Sequence, residues 1–311
     1  MRNNPLVSIV LPVFNGERYL EEAIKSILDQ IVTDFELIIV NDASTDRTQN
    51  IIDMFVKHDY RIRCIVNNMN LKLPKSLNVG FEQARGAFFT WISHDNVLMP
   101  TFLKAMLEGF ELQEDVQRTD QIHTVADIVY APYIAIDEQG NAFPNQKQGV
   151  PLPLEYLCYQ NVIGAAFMYR AEVHKALCGF DESLFLLEDY DFWVRSYLKK
   201  FCFKYIDKIH YKYRIHSKNL SSTRSVTHIS IPYLYRIRSK FKQMPSTLPA
   251  AELQALEEKC RWQLWNGRKY LPLLQKFHIF GEIFINNPCF VLQKFYSKIC
   301  KRLKNFGHEE H

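Results

Sequence analysis

Apolar positions in the first hundred residues switch repeatedly between two periods. Residues 7 to 13, VSIVLPV, form a near-continuous aliphatic and β-branched run, the pattern of a strand covered on both faces of a parallel sheet. After Asn15-Gly16 the period lengthens, and Leu20, Ala23, Ile24, Ile27 and Leu28 fall on one face of a helix. FELIIV at 35 to 40 predicts a second strand, and Ile51, Ile52 and Phe55 a short helix. A third strand is expected over 61 to 66, a helix over 74 to 84, and a fourth strand over 87 to 92 that delivers the chain to Ser93 and Asp95. A helix follows over 100 to 110, with Pro100 early, where its missing N–H costs nothing. Such alternation is the signature of an α/β chain, and open α/β sheets bind ligands beyond the carboxyl ends of their strands. Parallel neighbouring strands would bring Asn41, Asp42, Ser93 and Asp95 to one rim.

Beyond residue 110 the pattern is looser. Residues 111 to 124 are polar and loop-like, 127 to 136 (DIVYAPYIAI) have strand character, and 137 to 160 are turn-rich. GAAFMYR at 164 to 170 predicts a strand and 171 to 177 a brief helix. Acidic residues then precede a helix reaching Tyr197, and strands are expected at 202 to 207 and 210 to 214. Periodicity weakens after about 225 and returns as a helix over 248 to 265. Asn287-Pro288 resembles a helix start, and the apolar positions Val291, Leu292, Phe295, Tyr296, Ile299, Cys300 and Leu303 that follow are interleaved with Lys294, Lys298, Lys301, Arg302 and Lys304. Such a helix can dock on its own domain with its lysines in solvent, or lie on an anionic membrane surface. These shifts divide the chain into a domain over 1–225 and a mainly helical extension over 226–311.

Composition narrows the classes. A chain of 311 residues with 47% hydrophobic and 23% charged residues folds and buries a sizeable core. A formal charge of +4 with no reading motif gives no reason to expect a nucleic-acid partner. The seven cysteines are scattered without a C-x-x-C pair, which points to a reducing compartment and away from a disulfide scaffold or clustered zinc. The first residues read as a strand and not as a signal peptide, and no apolar run reaches a membrane span, so a cytoplasmic protein is expected.

Candidate chemistry sits where strands end. Neither a G-x-G-x-x-G turn nor a G-x-x-x-x-G-K-[ST] run is present, so a nucleotide would have to be held by side chains. Asn41 and Asp42, with Ser44 and Asp46 behind them, could accept hydrogen bonds from a base or ribose, or could simply cap a turn. Asp95 could be a hard oxygen ligand for Mg2+ or Mn2+, or a helix cap. Strand alternation would turn His94 away from Asp95. Glu188 and Asp189 could supply a general base, or the acidic first turn of a helix. His216 could touch diphosphate or metal, or lie in a surface loop.

Four segments, VSIVLPVFNGERYLEEAIKSILDQ (7–30), FELIIVNDASTDRT (35–48), ARGAFFTWISHDN (84–96) and GFDESLFLLEDYDFWVR (179–195), together resemble the family 2 glycosyltransferases of GT-A fold, over roughly residues 5 to 220. That resemblance implies a Rossmann-like, mostly parallel central sheet with flanking helices, with the C-terminal helical extension outside it. It implies an inverting glycosyltransferase that uses a nucleotide-diphosphate sugar, with uridine diphosphate the default, and a divalent Mg2+ or Mn2+. The acceptor would be a saccharide or lipid-linked glycan of a bacterial envelope. A lipid-linked acceptor would suit a basic helix at the inner face of the plasma membrane. Residues 137 to 160 could then contact the acceptor. Pro12, Phe14, Asn15 and Asp42 fall where the family holds the base and ribose, and Asn41 replaces the first acid of the usual pair. The family's Asp-x-Asp falls on Ser93-His94-Asp95, so the cation would depend on Asp95. Glu188-Asp189 match the Glu-Asp motif, with Asp189 the expected base, and His216 falls near the diphosphate. The uncharged Asn41 and Ser93 leave room for an alternative, a nucleotide-sugar-binding or scaffold protein that has lost its chemistry.

Overall fold

The computed structural model describes residues 4–110, 125–148, 151–220, 227–241, 243, 246–266, 275 and 279. In chain order the elements are β1 (Val7–Val13), α1 (Leu20–Leu28), β2 (Phe35–Asn41), α2 (Thr48–His58), β3 (Ile62–Val66), α3 (Leu73–Glu82), β4 (Phe88–Trp91), β5 (Val97–Leu98) and α4 (Phe102–Phe110). They continue with β6 (Ile128–Ala131), β7 (Tyr133–Ile136), β8 (Ala142–Gln148), β9 (Ala166–Arg170), α5 (Ala171–Leu177), α6 (Glu188–Leu198), β10 (Phe203–Tyr205) and β11 (Tyr211–Arg214). Two compact units, Met1–Val226 and Thr227–His311, divide the chain. In the second, α7 (Thr227–Phe241) and α8 (Ala250–Asn266) pack on each other.

The central sheet has the order β10-β6-β9-β4-β1-β2-β3. β1 pairs in parallel with β2 and β4, and β2 with β3, so the strands predicted from the first hundred residues share one direction. The apolar runs of β1 and β2 are buried along their whole length, because helices cover both sheet faces. Leu20, Ala23, Ile24 and Ile27 of α1 share one buried cluster with Ile9, Leu11 and Leu37. Each such side chain taken fully out of water contributes about 1.5–3 kcal/mol. β9 runs against both β4 and β6, making the sheet mixed, whereas β10 is parallel to β6. The ends of β1, β2, β4 and β6 and the beginning of β9 therefore share one rim.

A second sheet, β5-β11-β7-β8, stands beyond that rim. Two stretches are more divided here than the sequence showed. The strand character of DIVYAPYIAI belongs to two strands: the chain leaves the central sheet at Pro132, which has no N–H for a ladder, and joins the second sheet as β7. The turn-rich region 137 to 160 contains β8 and a 3-10 turn at Leu154–Cys158. Among the described residues β8 pairs only with β7, and such an edge tolerates Pro144 and polar residues, so no apolar alternation announces it. α7 falls in the stretch expected to be mainly helical, but its bounds were not legible, as Pro232 lies inside it. The polar stretch 111 to 124 and the basic helix expected after Asn287 lie outside the described residues. Among the described residues no helix is long and apolar enough to cross a membrane.

Candidate active site

The ends of β1 and β2 are tied together by their loops. Pro12 pairs with Val40 inside the sheet, and Phe14, just beyond it, is 45% exposed. Asn15 takes a left-handed conformation (φ 51°), its N–H donates to Ser44 Oγ at 3.0 Å, and its Oδ1 accepts from the Thr45 N–H at 2.8 Å. The Gly16 N–H donates to Thr48 Oγ1 at 2.9 Å. A Cβ on Gly16 would lie 2.5 Å from Val13 Cγ2 and 2.7 Å from His94 Cδ2, so this approach requires glycine. His94 thus packs on the β1–α1 loop, and burial pushes its pKa down.

Asn41 organises the following turn, its amide donating to Gln49 and its Oδ1 accepting from the Ser44 N–H. Asp42 is buried, and its carboxylate accepts from Asn67 Nδ2 at 2.9 Å, the Leu71 N–H at 2.8 Å and the Lys72 N–H at 3.0 Å. A carboxylate offers about four acceptor positions. Asp42 therefore fixes the loop of residues 67 to 72 with most of them and keeps little capacity for a ligand. That loop closes on Lys72 at φ 73°, ψ 166°, a region that side chains other than glycine's rarely occupy.

At the end of β4, Ser93 closes a turn through its carbonyl, which accepts from the Asn96 N–H. Asp95 is 8% exposed, and its Oδ2 accepts from Asn219 Nδ2 at 3.0 Å and lies 3.0 Å from His216 Nε2. Asn219 Oδ1 in turn accepts from the His216 N–H. The Tyr19 ring packs 5.3 Å from the His216 ring. A carboxylate and an imidazole that meet across 121 residues form an oxygen and nitrogen donor pair. Among the described residues no group of three or more His, Cys, Asp or Glu gathers for a metal. The pair thus fits a cation that takes one or two protein ligands and completes its shell with phosphate oxygens and water, as Mg2+ and Mn2+ do.

Glu188 and Asp189 lie in the first turn of α6 and not on a strand. Glu188 is buried and its Oε2 accepts from the Leu186 N–H at 2.7 Å. Burial, with the charge of Asp189 added, pushes its pKa up to about 8. Burial raises Asp189 too, against hydrogen bonds from the Tyr190 N–H (2.6 Å) and Asn161 Nδ2 (2.9 Å) that favour its ionised form. Tyr133 connects this corner to the previous one: its ring is 6.5 Å from that of Tyr211, whose hydroxyl accepts from Asn96. Burial, then the neighbouring Tyr213 and Asp189, push the Tyr133 hydroxyl up to about 12.

The structure thus brings Asp95 to His216, Asn15 to the 44–45 turn, and Glu188 beside Asp189. Asp42 shares no hydrogen-bond partner with Asp95 and belongs to the β2–β3 corner. Asn161, Arg214 and Asn219 were missed from the sequence. Asn219 lies three residues after His216, a spacing that could have flagged it, whereas Asn161 and Arg214 carry no local signal.

The model of glycosyl transferase family 2 matches residues 8–177. An uncharacterised glycosyltransferase of Haemophilus influenzae is 30% identical over 234 residues, 71% of this chain and 69% of that protein. One of Methanocaldococcus jannaschii is 30% identical over 223 residues, 70% and 73% of the two chains. Among solved structures, S. aureus TarS 1-349 in complex with UDP-GlcNAc aligns with a TM-score of 0.61 at 19% identity, covering 90% of this chain and 80% of that one. Mannosyltransferase PcManGT from Pyrobaculum calidifontis, in complex with GDP-Man and Mn2+, aligns with a TM-score of 0.57 at 12% identity, covering 100% and 89%. At these identities the two structures share the fold.

Proposed function

Because the chain belongs to glycosyl transferase family 2, we propose that it transfers a sugar, with inversion, from a nucleotide-diphosphate donor to a saccharide or lipid-linked glycan acceptor. One observation carries this reading: the Asp95 carboxylate and the His216 imidazole meet at 3.0 Å beyond the carboxyl ends of parallel strands, where α/β sheets hold their ligands. The base and ribose would lie against Pro12, Phe14, Asn15 and the corner fixed by Asp42, with Ser93 and His94 lining the approach to the diphosphate.

Asp95 and His216 would hold Mg2+ or Mn2+, which supplies positive charge to the leaving diphosphate. The Mn2+ of the mannosyltransferase complex supports a divalent ion on this fold. Asp189 is the general base. Its two hydrogen-bond donors favour the charged form against the burial that raises its pKa, and burial with the charge of Asp189 pushes Glu188 up to about 8, which favours a pair that carries less than two full charges. The acceptor hydroxyl gives its proton to Asp189 as its oxygen bonds to the anomeric carbon. The bond from that carbon to the diphosphate oxygen breaks on the opposite face, and the electron pair leaves with the nucleotide diphosphate. UDP is the best default for the nucleotide, given the UDP-sugar complex of the same fold.

A thermal-shift and turnover screen of UDP-, GDP- and dTDP-sugars, each with Mn2+, Mg2+ or chelator, tests the proposal. Selective stabilisation by one nucleotide class, together with donor consumption that chelator abolishes, is expected. Binding without consumption in the presence of glycan acceptors would favour a nucleotide-sugar-binding scaffold, and stabilisation by none would overturn the reading.

A further inference from the structure

Arg214, the last residue of β11, is 1% exposed and is absent from the chemistry above. Its side chain reaches three parts of the fold. Nε donates to the main-chain carbonyl of Asp95 at 2.9 Å. Nη1 donates to the carbonyls of Asp137 and Glu138, both at 3.1 Å, at the tip of the β7–β8 hairpin. Nη2 donates to Glu22 Oε2 on α1 at 2.6 Å, and the guanidinium lies 4.7 Å from the centre of the Tyr19 ring, whose neighbour is His216. Its backbone takes part as well: the N–H donates to Asn96 Oδ1 at 2.9 Å, and the carbonyl accepts from the same Asn219 amide that donates to Asp95 Oδ2.

Two features of this arrangement bear on the cation. The guanidinium bonds the carbonyl of Asp95 and not its carboxylate, so it fixes the residue without competing for the acidic oxygens. Its positive charge is countered by Glu22, whose side chain is 53% exposed, so repulsion of a bound cation is reduced. A lysine could not reproduce this, because only the planar fork carries donors in fixed, divergent directions.

We propose that Arg214 is a positioning residue of the cation site, holding Asp95, His216, Asn219 and the β7–β8 hairpin in one geometry so that the Asp95–His216 pair is already shaped for the ion. The inference rests on the reading of Asp95 and His216 as cation ligands. Groups standing behind metal ligands are worth about 10- to 100-fold in metal affinity, whereas a residue that merely closes the fold would change stability alone.

The test is calorimetric binding of UDP to the full chain, once in chelator and once in Mn2+, for the wild type, Arg214→Lys, Glu22→Gln and Asp95→Asn. The wild type should gain affinity with Mn2+, and Asp95→Asn should lose the gain. Arg214→Lys should bind UDP in chelator within about twofold of wild type while its Mn2+-dependent gain falls by about tenfold or more. A full Mn2+ gain in folded Arg214→Lys overturns the inference. If that variant does not fold, Glu22→Gln, altered at an exposed position, decides: a gain reduced by about threefold or more supports it, and an unchanged gain overturns it. A wild type that binds UDP without any Mn2+ gain would overturn the cation reading and, with it, the role given to Arg214. A wild type that binds no UDP would overturn the donor reading.

Discussion

The side-chain amide of Asn161 donates to Asp189 Oδ2 at 2.9 Å, while Asn161 Oδ1 accepts from the Ile163 N–H at 3.1 Å, so the donor's orientation is locked by its own loop. A donor to the charged form lowers a carboxyl pKa, and its removal raises it. In Asn161→Ala the acid limb of the kcat–pH profile should therefore move to higher pH, with nucleotide affinity retained. Asp189→Asn should lower kcat by about 10²–10⁴-fold. An unmoved limb would show that Asn161 does not tune the base.

Glu188 should leave a signature in stability. Its pKa rises from 4.5 to about 8 on folding, so between these values the unfolded chain releases a proton that the folded chain keeps. The stability present below pH 4.5 is then lost progressively as pH rises towards 8, and the penalty is constant above it. Glu188→Gln retains an oxygen for the Leu186 N–H and removes the titration. It should match wild type near pH 4 and exceed it by up to a few kcal/mol near pH 8, measured by urea unfolding across that range. Parallel pH profiles would sink the assignment.

Lys72 sits at φ 73°, ψ 166°, held there by the bond from its N–H to Asp42. Such strain costs about 1–3 kcal/mol, and glycine avoids it at an entropic cost of about 0.5–1 kcal/mol. Lys72→Gly should raise stability by about 1 kcal/mol, whereas Lys72→Ala, still a poor fit, should not. A lower urea midpoint for the glycine variant would mean that the lysine side chain itself holds the loop.

What could be read from the chain divides along physical lines. β1 and α1 were legible because VSIVLPV is buried on both faces and Leu20, Ala23, Ile24 and Ile27 on one, which gives each a distinct period. β8 was not, since an edge strand needs no apolar alternation, and the break at Pro132 looked like a strand interior until its two sides proved to join different sheets. Asp95, His216 and Asp189 could be singled out as polar residues at element ends. Asn219, three residues beyond His216, had that spacing as its one local signal, whereas Arg214 and Asn161 had none, because what singles them out is contact across 119 and 28 residues.

The reversed direction of β9 has a wider consequence. Parallel strands can bring only the loops that follow them to the binding edge, but β9 brings the loop that precedes it, and Asn161 arrives on that loop. The groups proposed to grip the nucleotide follow forward-running strands, while the group proposed to steady the proton acceptor enters on the backward-running one. On that proposal, insertions before Ala166 would alter the acceptor side and leave the nucleotide side untouched, a division that would let one scaffold diversify its linkages while keeping its donor.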